Sequence, residues 1–136
     1  MSHAILDANK ALVLAHYEAV INRHDPDAIR SQLTPDFFDH VTGKMMSADE
    51  VIAHSMMLHE AFGNLSVVAE CLVAERDIVA GRFIWRGTHR GPWRGIPRTG
   101  KHAEFRGMTF WRIRDGKICE RWAEIDFEGL ERYLRA

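Results

Sequence analysis

The sequence is poor in the features that mark secreted and nucleic-acid-binding proteins. Its 136 residues include two cysteines, Cys71 and Cys119, and four prolines. Each cysteine lies in an apolar run, so we expect two free thiols in the core rather than a disulfide. Lysine and arginine (18) are balanced by aspartate and glutamate (19), which gives a net charge of −1. Nucleic-acid-binding domains are usually basic, so this balance argues against such a partner.

Long apolar runs are also missing. No stretch reaches the roughly 18 apolar residues that a membrane-spanning helix needs. The first 20 residues lack the basic start and the continuous apolar core of a signal peptide. We found no internal repeat and no linker. These observations predict one soluble, cytoplasmic domain over residues 1–136 that does not bind a membrane.

The order of sequence patterns predicts an α+β fold. Apolar residues recur at helical spacing over residues 6–22, and Asp25 followed by proline starts a second helix. Residues 47–50 match a capping box at the start of a third helix. The second half is rich in β-branched and aromatic residues, with a strong hairpin signal at Asp115-Gly116 and a short final helix. We therefore expect helices on one face of a curved, mostly antiparallel sheet, with a cone-shaped space for a small molecule between them.

The last hairpin allows a prediction of which side chains face that space. With Asp115-Gly116 as a two-residue turn, each strand residue has a defined partner, and paired residues share a face. The aromatic face, which we expect to be interior, comprises Phe105, Gly107, Thr109, Trp111, Ile113, Ile118, Glu120, Trp122, Glu124 and Asp126. An apolar cavity raises the proton affinity of a carboxylate, so Asp126 at the rim is the candidate general base.

The opposite face of the hairpin carries an apolar strip among arginines. Its apolar members are Met108, Phe110, Cys119, Ala123 and Ile125. An exposed apolar strip of this kind is typical of a subunit interface, so we expect a homodimer built sheet against sheet.

An arginine-rich segment, residues 86–101, separates the two strand pairs. It holds Arg86, Arg90, Arg94, Arg98 and Lys101 and no acid. Trp93, Ile96 and Pro97 provide apolar anchors, so we expect a packed loop at the pocket mouth rather than a disordered nucleic-acid-binding tail. Its arginines would pair with acids of the protein or of a partner subunit, or would attract an anionic substrate.

A series of short motifs links the chain to a known family. They are Gly-Thr-His at 87–89, Gly-Ile-Pro at 95–97, Thr-Gly-Lys at 99–101 and Asp-Gly-Lys-Ile at 115–118, followed by Glu120, Trp122 and Asp126. The first half agrees more loosely, through Tyr17, Asn22 and the stretch that ends at His40. In these motifs the sequence resembles the SnoaL-like polyketide cyclases, or ester cyclases, of the NTF2-like superfamily. It departs from them at Arg98, where a second proline is common, and in its last four residues.

The resemblance implies a fold, a reaction and a set of site residues. The family has a cone-shaped α+β barrel, usually dimeric or tetrameric through the sheet, and its characterised cyclases close a ring by intramolecular aldol condensation without cofactor or metal. Its essential aspartate corresponds to Asp126, which would remove a proton α to a carbonyl. His89 or Tyr17 would then donate to the enolate oxygen. The expected substrate-binding residues are Tyr17, His40, Trp85, Phe105, Trp122 and Glu124.

Several alternatives remain open from the sequence. Asp126 is also well placed to cap the last helix, and Glu120 and Glu124 could pair with arginines. The other histidines (His3, His16, His24, His54, His59 and His102) are expected to be solvated, and the spacing of five between His54 and His59 does not match a zinc helix. An isomerase, a dehydratase, a hydrolase or a non-catalytic ligand-binding module would use the same fold.

Overall fold

The computed structural model describes residues 2–136 and confirms the α+β fold. The helices are α1 (His3–Tyr17), α2 (Pro26–Gln32), α3 (Ala48–Ala61) and α4 (Phe127–Arg135). The strands are β1 (Leu33–Asp39), β2 (Lys44–Met45), β3 (Phe62–Glu75), β4 (Ile78–His89), β5 (His102–Arg114) and β6 (Lys117–Ile125). They form one six-stranded sheet in the order β2-β1-β6-β5-β4-β3. β1 runs parallel to β6, and the other neighbouring strands pair antiparallel.

Local sequence signals account for the ends of the elements. The Asp25 side chain accepts a hydrogen bond from the Ala28 amide at the start of α2. Ser47 and Glu50 form the reciprocal capping box that starts α3. Asp115 and Gly116 both have positive φ, at 52° and 75°, so the predicted tight turn between β5 and β6 is confirmed.

The helices cover one face of the sheet, which we call the inner face. Along β5 the buried and exposed residues alternate strictly over most of the strand, as expected for a strand with one solvated face. The inner face is strongly aromatic: Tyr17 of α1 packs on Phe83 with ring centroids 4.2 Å apart, and Trp85 stacks on Phe105 at 5.6 Å. No helix within residues 2–136 is both long and apolar enough to span a membrane.

A π-helical turn, Glu18–Asn22, follows α1 and fixes its end against α3. The wider turn leaves the Val20 carbonyl free for other donors, and it accepts hydrogen bonds from Ser55 Oγ (2.7 Å) and His59 Nε2 (3.0 Å). His59 is therefore bound to the backbone, in contrast to the prediction that it is solvated. Because α1 carries Tyr17 in its last turn, these bonds set the depth of that side chain in the sheet.

The arginine segment is a packed loop, as predicted, after its first four residues complete β4. The amides of Arg90 and Gly91 both donate to the Ala61 carbonyl, at 2.8 and 3.1 Å. Ile96 is buried, and the Arg94 guanidinium lies over the rings of Trp93 and Phe127, at 4.9 and 4.5 Å from their centroids.

Arg86, the first arginine of the segment, and Arg82, which precedes it in β4, point to the outer face, away from the helices. Arg82 pairs with Glu70 at 3.5 Å and Arg86 with Glu104 at 3.2 Å. Their partners therefore come from the sheet itself rather than from α1 or α2.

Gly91 allows a test of how the arginine segment docks. A Cβ at this position would lie 2.6 Å from the Glu60 carbonyl oxygen, so Gly91→Ala should push the segment off α3 and cost about 1–3 kcal/mol. We expect faster tryptic cleavage after Arg94 and Arg98 in limited proteolysis.

Gly43→Ala is the matched control. Gly43 has a positive φ of 75° but no atom within 4 Å of its Cβ position, so alanine there strains only the local backbone, by about 1–2 kcal/mol. Cleavage of the segment at the wild-type rate in Gly91→Ala would contradict this docking.

Candidate functional site

A β-bulge in β6 determines which residues face the helices. Arg114 pairs with Lys117 and Ile113 with Ile118, as predicted, but Arg112 then pairs with Glu120. Cys119 is the extra residue, and the register beyond it is shifted by one. Because side chains alternate along a strand, one inserted residue moves all later side chains to the opposite face.

The predicted interior face of β6 is therefore wrong beyond Ile118. Glu120, Trp122 and Glu124 lie on the outer face, since Trp122 pairs with Phe110 and the exposed Glu124 with Met108. The inner positions belong instead to Arg121, Ala123 and Ile125, which the sequence placed on the outer face. The β5 part of the prediction is confirmed: Phe105, Gly107, Thr109, Trp111 and Ile113 are all buried.

The inner face carries a buried polar network centred on Thr109. The hydroxyl of Thr109 accepts hydrogen bonds from Tyr17 Oη at 3.0 Å and from Trp111 Nε1 at 2.9 Å. Burial raises the pKa of Tyr17 to about 12, although the Arg121 charge and the bond to Thr109 oppose this shift. Tyr17 is thus a neutral phenol throughout the physiological range, held in the aromatic interior.

His16 extends this network towards α2. Its Nδ1 donates to Gln32 Oε1 at 2.8 Å, which leaves the lone pair on Nε2. Burial lowers the pKa of His16 to about 4, and the Arg121 charge acts in the same direction while the bond to Gln32 opposes it. The prediction that His16 is solvated is wrong, because its side chain lies on the apolar stripe of α1 and packs edge-on against Trp111.

An ion pair closes the network at the end of β1. Arg121 donates to Asp39 Oδ2 at 2.9 Å, and the side chains are 21% and 9% exposed. The other carboxylate oxygen, Oδ1, accepts from the Val41 amide at 2.9 Å. Both oxygens of Asp39 are therefore occupied, so this buried carboxylate is held as a structural partner of Arg121.

His89 lies in a second part of the interior, beneath the arginine segment. It is fully buried, and its Nδ1 lies 2.9 Å from Thr99 Oγ1 and accepts a hydrogen bond from the Thr99 amide at 3.3 Å. Because the amide already directs a proton at Nδ1, we place the ring proton on Nε2, which has no hydrogen-bond partner within residues 2–136. A buried donor without an acceptor costs about 1–3 kcal/mol.

The surroundings of His89 are aromatic. Phe62 packs on the His89 ring at 5.5 Å, and the contacts continue from Phe62 to Phe105 and from Phe105 to Phe127. Trp93 of the arginine segment covers this cluster by contacts with Phe62 and Phe127. We call Phe62, Trp85, Trp93, Phe105 and Phe127 the aromatic cluster. An apolar ligand that bears an oxygen atom would match a cluster of this composition with one free donor.

Asp126 lies at the other end of the aromatic cluster, beside Phe127. It is exposed rather than facing inward, and its Oδ1 accepts from the Gly129 amide at 2.9 Å, so it is the N-cap of α4. The predicted cap is confirmed and the predicted interior position is wrong. The catalytic role of Asp126 stays a prediction. One of its carboxylate oxygens is fixed by the amide at the start of α4.

His40 and Trp122 do meet, but on the outer face of the sheet. Their rings stack in parallel with centroids 4.6 Å apart, and His40 Nε2 lies 2.7 Å from Glu120 Oε2. His40 and Glu120 border an open recess, about 500 Å³ in volume, that is also lined by Phe38, Arg114 and Cys119 among others. Of the predicted site residues, Tyr17, Trp85, Phe105 and His89 lie in the interior, while His40, Trp122 and Glu124 do not.

Among residues 2–136, no three His, Cys, Asp or Glu side chains form a group that could hold a metal ion. The sequence analysis missed the roles of His16, Gln32, Asp39 and Arg121. His16 could have been found from its spacing to Val13 and Tyr17 on α1, whereas the pairing of Asp39 with Arg121 depends on the bulge.

Comparison with known proteins identifies the family of the chain. The sequence profile of the SnoaL-like polyketide cyclases matches residues 11–134. The chain belongs to the SnoaL-like polyketide cyclase family. A candidate SnoaL-like polyketide cyclase from Jannaschia sp. CCS1 is 25% identical, with a TM-score of 0.88 over 100% of this chain and 97% of its own.

Two Streptomyces structures in the same family fold carry different functional descriptions. AclR from Streptomyces galilaeus, a candidate hydroxylase, is 27% identical with a TM-score of 0.82 over 96% of this chain and 97% of its own. IdmH from Streptomyces antibioticus, a candidate polyketide cyclase, is 25% identical with a TM-score of 0.83 over 94% and 99%. No curated protein matches this sequence significantly. The family is thus shown, while its members' names span more than one reaction.

The buried His16 makes stability depend on pH. Its pKa of about 4 in the folded chain lies below the ordinary histidine value of 6.5, so between these values the unfolded chain binds a proton that the folded chain does not. Stability should therefore fall as pH decreases from 6.5 to 4, by about 3 kcal/mol from this residue alone. His16→Gln should lose that part of the pH dependence in urea unfolding at pH 7 and pH 4.

The exposed His54 on α3 is the matched histidine for this measurement. His54→Gln should keep the wild-type pH dependence. If the free energy of unfolding changed equally between pH 7 and pH 4 in His16→Gln and in the wild type, the assignment of a buried, neutral His16 would be contradicted.

Proposed function

We propose that this protein is a cofactor-independent enzyme that acts on a small carbonyl compound and closes a ring by an aldol-type reaction. The substrate would occupy the aromatic cluster between His89 and Asp126. The observation that supports this proposal most directly is the buried Nε2–H of His89, which has no acceptor within residues 2–136.

A carbonyl or enolate oxygen would satisfy the free donor of His89. The Thr99 amide holds Nδ1 as an acceptor, so the ring presents Nε2–H to any ligand in the cluster. A hydrogen bond from a fixed donor in an apolar site stabilises developing negative charge more than a donor in water does. This is the role expected for an oxyanion donor in an aldol reaction.

Asp126 would act as the base at the other end of the cluster. Its Oδ1 is held by the Gly129 amide, which orients the carboxylate and leaves Oδ2 for the substrate. In the reaction, the Cα–H bond breaks and the proton passes to Asp126. The resulting enolate carbon attacks a second carbonyl of the same molecule, a C–C bond forms, and the new alkoxide takes the proton back.

A non-catalytic ligand-binding module is the second candidate. The exposure of Asp126 favours it, since a solvated carboxylate is a weaker base than a buried one. Other proton-transfer reactions of carbonyl compounds, such as isomerisation or dehydration, would use the same groups. Asp126→Asn distinguishes these cases because asparagine caps a helix about as well as aspartate but cannot accept the proton.

Hydrogen–deuterium exchange of 2-tetralone, an aromatic cyclic ketone, tests the base directly. The wild-type protein should accelerate exchange of the α-protons in D₂O over buffer, as followed by NMR. Asp126→Asn should reduce this acceleration by about 10²-fold or more, with the free energy of unfolding unchanged within about 0.5 kcal/mol.

Glu128→Gln is the control for charge, because Glu128 is an exposed acid in the first turn of α4 that does not cap it. Glu128→Gln should accelerate exchange of the 2-tetralone α-protons as much as the wild-type protein does. Binding of 2-tetralone without accelerated exchange would favour the ligand-binding module, and full exchange by Asp126→Asn would exclude Asp126 as the base.

We also propose a homodimer formed through the outer face of the sheet. Large apolar side chains are exposed there: Val68 (49%), Met108 (61%) and Phe110 (51%). They lie beside a row of alternating charges in which Arg82 and Arg106 both reach Glu70. A face with an apolar strip and both signs of charge can pack on a second copy of itself about a two-fold axis.

Met108→Glu should produce monomers, because it places a charge in the centre of the apolar strip. The measurement is molar mass by light scattering at micromolar concentration. Met57 is 68% exposed on α3, away from the sheet, so Met57→Glu should leave the mass unchanged. A monomeric wild-type protein at these concentrations would contradict the proposal.

A further inference from the structure

The outer face carries a second group of polar side chains that the proposed reaction does not use. It lies at the hairpin-turn end of the sheet and borders the open recess of about 500 Å³. The register shift at Cys119 creates this group, because it turns Glu120 and Trp122 outward beside His40. The question is what an oriented imidazole at the edge of an open recess can do.

Three contacts hold the His40 ring in one orientation. Its face stacks on Trp122 with an interplanar angle of 6°, and Phe38 packs against it at 4.8 Å. Its Nε2 lies 2.7 Å from Glu120 Oε2. A carboxylate only accepts hydrogen bonds, so Nε2 carries the proton and the neutral ring has its lone pair on Nδ1.

Glu120 is in turn held by a chain of charged groups. Its Oε1 accepts from Arg112 Nε at 3.0 Å, and Arg112 also donates to Asp77 at 3.1 Å. The Arg112 guanidinium lies over the ring of Trp122, 5.6 Å from its centroid. A histidine oriented by a carboxylate, which is itself fixed by further bonds, is the arrangement that proteins use for proton transfer.

We propose that this recess is a second active site, in which His40 acts as a general base for the hydrolysis of small, uncharged carboxylic esters. Phe38 would contact the acyl group, and the recess is open to the water that the reaction consumes. Arg114 lines the same recess and donates a hydrogen bond to Asp36. Its remaining N–H groups can donate to the carbonyl oxygen of the ester. Glu120 is a positioning residue, since it acts through His40.

The reaction balances without a cofactor. The lone pair of His40 Nδ1 takes a proton from water as the water oxygen bonds to the ester carbon. The tetrahedral intermediate, with its negative oxygen near Arg114, then breaks the C–O bond to the leaving group. The imidazolium returns the proton to the leaving oxygen, so that the products are a carboxylic acid and an alcohol.

The test is hydrolysis of 4-nitrophenyl acetate by the full chain, followed by release of 4-nitrophenolate. The wild-type protein should show saturable hydrolysis, and His40→Gln should lower kcat/KM by about 10²-fold, since general base catalysis typically contributes 10²–10⁴-fold. Glu120→Gln should lower kcat more than it changes KM, because the His40 ring loses the carboxylate that fixes its orientation.

A control variant separates this site from ordinary surface histidines. His102 is exposed, so His102→Gln should hydrolyse the ester at the wild-type rate. Hydrolysis that does not saturate, or that survives in His40→Gln, would overturn the proposal. So would a Glu120→Gln protein with the wild-type kcat. Circular dichroism of each variant verifies that the fold is retained, and the proposed reaction in the aromatic cluster is unaffected by any of these outcomes.

Discussion

One extra residue in β6 determines the chemistry of both faces of the sheet. Cys119 has no partner in β5, and every side chain after it changes face. Arg121 thereby turns inward to Asp39, and Glu120 turns outward to His40. Without the bulge, a guanidinium would be lost from the interior and two carboxylates would enter it. Such an exchange is unfavourable because buried carboxylates require partners that the inner face does not offer.

The interior is divided into two parts with different chemistry. Near Trp111 the polar groups of Tyr17, Thr109 and His16 bond to one another or to Gln32, so this part is satisfied without a ligand. Beneath the arginine segment, by contrast, His89 retains a free donor among aromatic rings. A fully satisfied hydrogen-bond network makes the interior rigid. An unsatisfied buried donor lowers the stability of the fold, and a ligand that accepts its hydrogen bond removes this penalty. This contrast places the proposed substrate beside His89 rather than beside Tyr17.

Much of the fold could be predicted because its signals are local. The cap at Asp25, the capping box at Ser47 and the positive-φ turn at Asp115 each depend on a few adjacent residues. The alternation along β5 was also sufficient to identify its buried face. The faces of β6 could not be derived, since a bulge is set by the packing of Ile118 and Cys119 against the rest of the molecule rather than by the turn. The same error explains why Trp122 and Glu124 were predicted on the wrong side of the sheet.

The parallel pairing of β1 with β6 has a consequence for how the chain reaches its fold. Leu33 lies opposite Ile118, so β1 can pair with β6 only after residues 117–125 have been synthesised. Until then the apolar side of α1 and β1 is not covered by β6, whereas the antiparallel β3–β4 and β4–β5 pairs join neighbouring segments and can form earlier. Assembly of the interior is therefore delayed until the β5–β6 hairpin has left the ribosome.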